Sequence, residues 1–188
     1  RIYTPGSLYE ESLLNSSERS VLSSIVLAKS SLSMAIIDSS TGESWASTWM
    51  DDERFSSLED ELLRWNPAEI VISPKDAEND QLCMIFANLS DCVISQHSVN
   101  KKRRIERLET ILEVSDLGHL DLDNSPLSIE AAGFAADYLA EVHFKENIPL
   151  RDLQIVEETG HLVVDHTTLR NLEITNTLSG EYDGSLIS

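Results

Sequence analysis

Hydrophobic positions recur along this chain at two spacings, and the alternation between them predicts the order of its elements. After a turn at Pro5-Gly6, Leu8, Leu13 and Leu14 mark a short amphipathic helix. Met34 to Ile37 form an apolar run, Thr41-Gly42 marks a turn, and Trp45 to Trp49 supply the returning strand of a hairpin. In DDERFSSLEDELLRWNP, Phe55, Leu58, Leu62 and Trp65 fall on one helical face; Asp51 or Asp52 is placed to cap its start and Pro67 to end it. AEIVISP is a β-branched strand closed by Pro74, and Leu82, Ile85, Phe86 and Leu89 then return to helical spacing.

CVISQHS predicts a further strand, and KKRRIERLETILEV a helix whose seam is Ile105, Leu108, Ile111 and Leu112. The plainest helix is NSPLSIEAAGFAADYLAEVHF: Ser125 can cap it, Pro126 suits its first position, and Ala131, Ala132, Gly133, Ala135 and Ala136 form a band without bulk. LQIVEETGHLVVD reads as two short strands about Thr159-Gly160, and Asp165 is placed to cap a helix beginning at His166. The pattern predicts an α/β architecture, a mixed sheet with helices against it. Pro149 and the end of the Ala-rich helix place the best boundary between a domain over 1–146 and the start of another over 147–188.

Composition narrows the function classes. The 188 residues are 41% hydrophobic, with 14 Lys and Arg against 33 Asp and Glu and a formal charge of -19. Such a surface repels a phosphate backbone, so broad DNA contact by this stretch alone is not expected. Cys83 and Cys92 are too few for a zinc ribbon or a disulfide framework, which points to a reducing, intracellular compartment. No apolar run approaches the ~20 residues of a membrane span, so no membrane partner is expected. The chain begins at Arg1 without a signal peptide and reads as an excerpt of something longer.

Five segments, in order, resemble one family. DHTTLRNLEIT is similar to the D-x-x-T-x-R-N-L-E segment that opens the core and lever region of the MutS mismatch-repair family, and RIYTPGSLYEESLL resembles the R-x-x-T-P-G-T-L segment entering its connector. AIIDSSTGES, NPAEIVIS and SIEAAGFAADYL resemble the family's D-x-S-T-G turn, its N-P-x-E strand and its Ala-Gly helix. The resemblance implies a ribonuclease-H-like mixed sheet with flanking helices over 1–146, the connector. It implies the first strands and helix of an α-helical core and lever domain over 147–188.

The resemblance also implies a function. A connector does no chemistry; it links mismatch binding to distant ATP hydrolysis and offers a surface to a MutL-type partner. The whole protein is then expected to be a dimeric, ATP- and Mg-dependent mismatch sensor that meets mismatched DNA through its other domains. It would lie in the nucleus or mitochondrion of a eukaryote, or in the bacterial cytoplasm. No cofactor is expected in this segment, which lacks G-x-x-x-x-G-K-[ST]. Phe144-Lys145-Glu146 spells the family's Phe-x-Glu at the wrong place, and reads as helix-end packing by Phe144. Asp165, Thr168, Arg170, Asn171 and Glu173 match the junction motif and are expected to hold the two domains in register, with Arg170 and Glu173 close enough to pair.

Two other functions compete with this one. A stand-alone ribonuclease-H-like nuclease needs several carboxylates converging on ions ~4 Å apart. Asp38 falls at a strand end but has no acid at the end of the next strand, and reads as a turn cap. His119, Asp121 and Asp123 would share one side of an extended HLDLD, a ligand set for a divalent ion or simply a wetted strand face. His97, His143, His161 and His166 have no motif partners at catalytic spacing. A free protein-interaction module is the other alternative. Separately, the run Lys101, Lys102, Arg103, Arg104 is the one concentrated basic patch of an acidic sequence, and it opposes the dipole of the helix it begins. That run is expected to be a solvated helix start, to meet DNA backbone, to signal nuclear import, or to meet an acidic surface on this or another chain.

Overall fold

The computed structural model describes residues 21–39, 41–112, 126–143 and 152–156. Its centre is a strand that the sequence pattern did not reveal. β1 (Val21–Leu27) is buried along nearly its whole length. It pairs antiparallel with β2 (Ser31–Asp38), which pairs antiparallel with β3 (Glu43–Met50). β4 (Glu69–Ile72) adds parallel to β1, and β5 (Val93–Gln96) parallel to β4. A strand covered on both faces loses the alternation that identifies a half-wet one, and Ser23 and Ser24 further blur VLSSIVL.

The helices cover both faces. On one, α1 (Arg54–Trp65) and α2 (Asp80–Ala87) bury Leu58, Leu62, Leu82 and Ile85 against Val21, Ile25, Met34, Ile36, Ile70 and Ile72. On the other, α3 (Lys101–Ile111) and α4 (Pro126–His143) bury Leu108, Ile129, Phe134 and Leu139 against Leu22, Val26, Ala35, Ile37 and Val71. Of the expected stripes of α1 and α2, Leu58, Leu62, Leu82 and Ile85 are buried, and Phe55, Trp65, Phe86 and Leu89 pack half-buried beside them. In the α3 seam Leu108 is buried and Ile105, Ile111 and Leu112 pack half-buried beside it.

Two local details differ from the expected ones. Asp51 and Asp52 do not cap α1 with their side chains; they lie in a 3-10 turn, Asp51–Glu53, and the Asp51 carbonyl accepts from Arg54 Nη1 at 2.8 Å. α1 does end ahead of Pro67, through Asn66, whose φ of 44° places it in the left-handed region and lets its N–H reach the Leu62 carbonyl at 2.9 Å. Finally β6 (Asp152–Val156), expected beyond the boundary at 146, pairs parallel with β3 and forms an edge of the same sheet, giving the order β5-β4-β1-β2-β3-β6. The sheet therefore continues past that boundary.

The Ala-rich band of α4 does what its small side chains allow. Ala131, Ala132, Ala135 and Ala136 are buried, and a Cβ at Gly133 would run into the main-chain carbonyl of Arg104, so α3 and α4 touch backbone to backbone there. Hydroxyls tie the helix down: Ser24 Oγ donates to the Ala131 carbonyl at 2.7 Å, and Thr48 Oγ1 lies 2.7 Å from Ser128 Oγ. No helix among the described residues is long and apolar enough to cross a membrane. The first helix, the HLDLD segment, Phe144 to Glu146, the second strand of LQIVEETGHLVVD and the helix after Asp165 lie outside the described residues.

Candidate functional site

Helix α4 carries acids and aromatics at spacings that bring them to one side: Glu130, Phe134, Asp137, Tyr138 and Glu141. Opposite them α3 presents Arg103, Arg104 and Arg107, and the end of β5 delivers His97. The result is a charge network in the α3–α4 contact. The Asp137 carboxylate, fully buried, accepts from Arg103 Nε at 2.9 Å and Arg107 Nε at 3.4 Å on one oxygen, and its other oxygen lies 3.0 Å from His97 Nε2. Burial is the largest single influence on Asp137 and would raise its pKa. The hydrogen bonds from His97 and Arg103, the Arg103 charge and the Arg107 hydrogen bond together outweigh it and hold the carboxyl below its ordinary value.

Arg104 is the second centre. Its side chain is 9% exposed, its guanidinium lies over the Phe134 ring at 3.9 Å, and Nη1 donates to Glu130 Oε1 at 3.1 Å. Burial depresses its pKa, which the Glu130 charge only partly restores. Lys101 Nζ lies 3.1 Å from the same Glu130, and Lys102 Nζ 3.5 Å from Glu106 on its own helix. All four cations of the basic run thus face carboxylates of this chain. Of the readings open for that run, an acidic surface on the same chain is the one the geometry displays, with Lys102, highly exposed, the least engaged.

His97, Asp137 and Glu141 supply three donor atoms within 4.8 Å of one another, the donor types of a divalent-ion site. The geometry argues against one ion. Asp137 approaches Nε2 of the imidazole and Glu141 approaches Nδ1 at 3.3 Å, so the carboxylates flank different nitrogens of one ring. The Arg103 and Arg107 guanidiniums on Asp137 would also repel an added dication. His97 packs on Phe134 and edge-on to Tyr138, both with centroids 5.6 Å away. The cluster is built to lock β5, α3 and α4 together.

A second buried carboxylate extends the lock to the sheet. Glu69 on β4 accepts from Ser95 Oγ at 2.5 Å and from Tyr138 Oη at 2.6 Å. Burial, with the Glu69 charge, pushes the Cys92 thiol up to about 11, so this cysteine is a poor nucleophile at neutral pH. Asp38 stands apart. Its main-chain carbonyl accepts from Gly42 N–H at 2.8 Å and its carboxylate from Thr41 N–H at 3.4 Å, the turn-capping arrangement expected for it. Because β2 runs antiparallel to β1, Asp38 lies opposite Val21, at the other end of the sheet from the carboxyl ends of β1, β4 and β5. Those ends carry Leu27, Ile72 and Gln96.

Sequence reasoning named the basic run and His97 but missed the acids they meet, Glu130, Asp137 and Glu141. The readable signal was two neighbouring helices of opposite charge, one cationic at Lys101 to Arg104 and Arg107, the other acidic at Glu130, Asp137 and Glu141 within an otherwise apolar run. The junction residues Asp165, Thr168, Arg170, Asn171 and Glu173, with His119, Asp121, Asp123, His161 and His166, lie outside the described residues, as does the His143 side chain.

Comparison with known proteins places this architecture. The profile described as MutS domain II matches residues 20–151. Proteins named DNA mismatch repair protein MutS are similar over the whole chain. That of Acaryochloris marina is 32% identical over 200 residues, that of Nostoc punctiforme 32% over 199, and that of Orientia tsutsugamushi (strain Boryong) 32% over 195. The chain spans 22%, 22% and 21% of these relatives, about a fifth of their length. A mixed sheet covered by helices on both faces, matched along 20–151 and similar throughout to these relatives, identifies the chain as belonging to the MutS DNA mismatch repair family.

Proposed function

We propose that this chain is the connector of a mismatch-repair protein, carrying movement between a mismatch-binding part and an ATP-hydrolysing part without doing chemistry itself. The observation that supports this most directly is the domain II match over 20–151 in a body packed on both faces. A body of this kind transmits displacement because its packed layers move as a unit, and a ligand at one end is felt at the other only through differential contacts. The network around Asp137 stiffens the α3–α4 layer for that purpose. The meander β1-β2-β3, with β4 and β5 added parallel on the β1 side, supports the ribonuclease-H-like reading of the fold.

In this reading the whole protein dimerises, uses ATP and Mg, and meets mismatched DNA through its other parts. A MutL-type partner docks on exposed connector surface, and Asp165, Thr168, Arg170, Asn171 and Glu173 keep the junction in register. The protein works in whichever compartment holds the DNA it surveys.

The competing nuclease reading gives the test. The purified chain is incubated with Mg²⁺ and labelled duplex or RNA–DNA hybrid, alongside Asp38→Asn. The connector reading expects no cleavage above that of the variant, and expects mismatch-stimulated ATP hydrolysis from the protein that contains the chain. Cleavage that Asp38→Asn abolishes would establish the nuclease instead.

A further inference from the structure

From Leu82 to Ala87 helix α2 has no polar side chain. A helix apolar on every side is ordinarily buried on every side. Here Leu82 and Ile85 are buried, while Cys83, Met84 and Ala87 are exposed, Met84 at 64%. The chain then leads into β5, an edge of the sheet, where Val93 and Ile94 are 43% and 37% exposed. Sheet edges are usually guarded by a charge, a proline or a bulge. β5 has none of these: its residues are Val, Ile, Ser and Gln, and its register with β4 runs without interruption.

Among the described residues, the hydrogen-bonding groups of β5 that face away from the sheet can be assigned. Val93 N–H donates to the Ala68 carbonyl and His97 N–H to the Ile72 carbonyl, both at 3.0 Å. Alternation along the strand therefore turns the main-chain groups of Ile94 and Gln96 away from β4. The surroundings are acidic. Glu78, Asp80 and Asp91 flank α2 and β5, Glu59 reaches Asn88 Nδ2 at 3.1 Å, and Lys75 is the single Lys or Arg between Trp65 and Asn100.

We propose that the β5 edge, with the exposed face of α2 beside it in the chain, takes an extended, basic segment of a partner protein as an additional strand. Main-chain bonds to Ile94 and Gln96 give register, Val93 and Ile94 give apolar cover, and the acids select basic flanks. Charge decides the occupant, because a second copy would bring a further formal charge of -19 against this one. The proposal goes beyond the connector reading and stands whether or not the chain couples mismatch binding to ATP hydrolysis.

The probe is the peptide Lys-Lys-Val-Thr-Val-Thr-Val-Lys-Lys, titrated into the isotope-labelled chain with amide exchange read by NMR. Saturable binding is expected, with exchange slowed at Ile94 and Gln96. Affinity should fall about tenfold or more when Glu replaces Lys in the peptide, and likewise in Gln96→Pro, which removes an outward N–H and leaves the β4 bonds in place. Ile94→Glu, which keeps every main-chain group, should weaken binding as well. Absence of saturable binding, equal binding of the acidic peptide, or binding indifferent to Gln96→Pro would overturn the proposal. Dimerisation of the chain that Gln96→Pro abolishes would overturn it in favour of a second copy.

Discussion

Gly133 on α4 lies so close to the main-chain carbonyl of Arg104 on α3 that no side chain fits between them. That approach sets the spacing at which Arg103, Arg104 and Arg107 reach the acids of α4. Gly133→Ala gains up to ~1 kcal/mol of helix propensity. Overpacking against a rigid backbone costs more, so a net loss of about 1–2 kcal/mol is expected. Urea unfolding of the chain measures it, and a variant as stable as the parent would refute the close contact.

Asp137 should contribute more than any surface ion pair. Asp137→Ala leaves Arg103, Arg107 and His97 without their shared acceptor, and about 3 kcal/mol of stability should be lost. That is the lower end of the cost of breaking a buried pair, since both arginines reach solvent. The pH dependence follows from the depressed carboxyl pKa. Its stabilisation is complete above the unfolded carboxylate value of about 3.9 and is lost as pH falls through the lower folded value. Unfolding free energies between pH 7 and pH 2 should therefore fall more steeply below about pH 4 in the parent than in Asp137→Ala. Parallel curves would contradict the assignment.

Adjacent serines on β1 should respond in opposite directions. Ser23 Oγ is buried with no hydrogen-bond partner among the described residues, whereas Ser24 Oγ donates to the Ala131 carbonyl at 2.7 Å. Ser23→Ala removes an unsatisfied group and should stabilise the chain by roughly 1 kcal/mol; Ser24→Ala deletes a buried hydrogen bond, although the Ala131 carbonyl keeps its place in the α4 ladder, and should cost about 1 kcal/mol. Thermal unfolding of the two variants reads both signs.

The cysteines should separate in alkylation. With its thiol at about 11, Cys92 has about one thiolate per thousand molecules at pH 8, while Cys83 is exposed. Iodoacetamide followed by mass spectrometry should label Cys83 first. Labelling of Cys92 at the same rate would mean that its environment is open.

These outcomes also mark how far the sequence could be read. The helical stripe at Leu58 and Leu62 was legible because it has one buried face and a clear period; the strand at Glu69–Ile72, buried throughout, was legible from its β-branched run closed by Pro74, and the Ala-rich helix α4 from its small residues after Pro126. β1 was not, because it too is buried on both faces and has no period, and Ser23 and Ser24 interrupt the apolar run that a strand such as β4 displays. The parallel pairing of β6 with β3 was hidden for another reason: local pattern locates a strand but does not say which distant strand it joins. Lys101 to Arg104 drew notice as charges, yet their meaning depends on α4, about thirty residues on, where Glu130 and Asp137 complete the pairs. A buried arginine over Phe134 cannot be told from a solvated one until that packing is known.

In the proposed connector function, this body transmits movement because α3 and α4 are locked to each other and to the sheet. The most direct test is ATP hydrolysis by the whole mismatch-repair protein, with mismatched and perfectly paired duplex, in the parent and in Asp137→Asn, at a temperature where both are folded. Asp137→Asn should keep its basal hydrolysis and its affinity for the mismatch while the stimulation by mismatch falls severalfold. Undiminished stimulation in the folded variant would contradict the account.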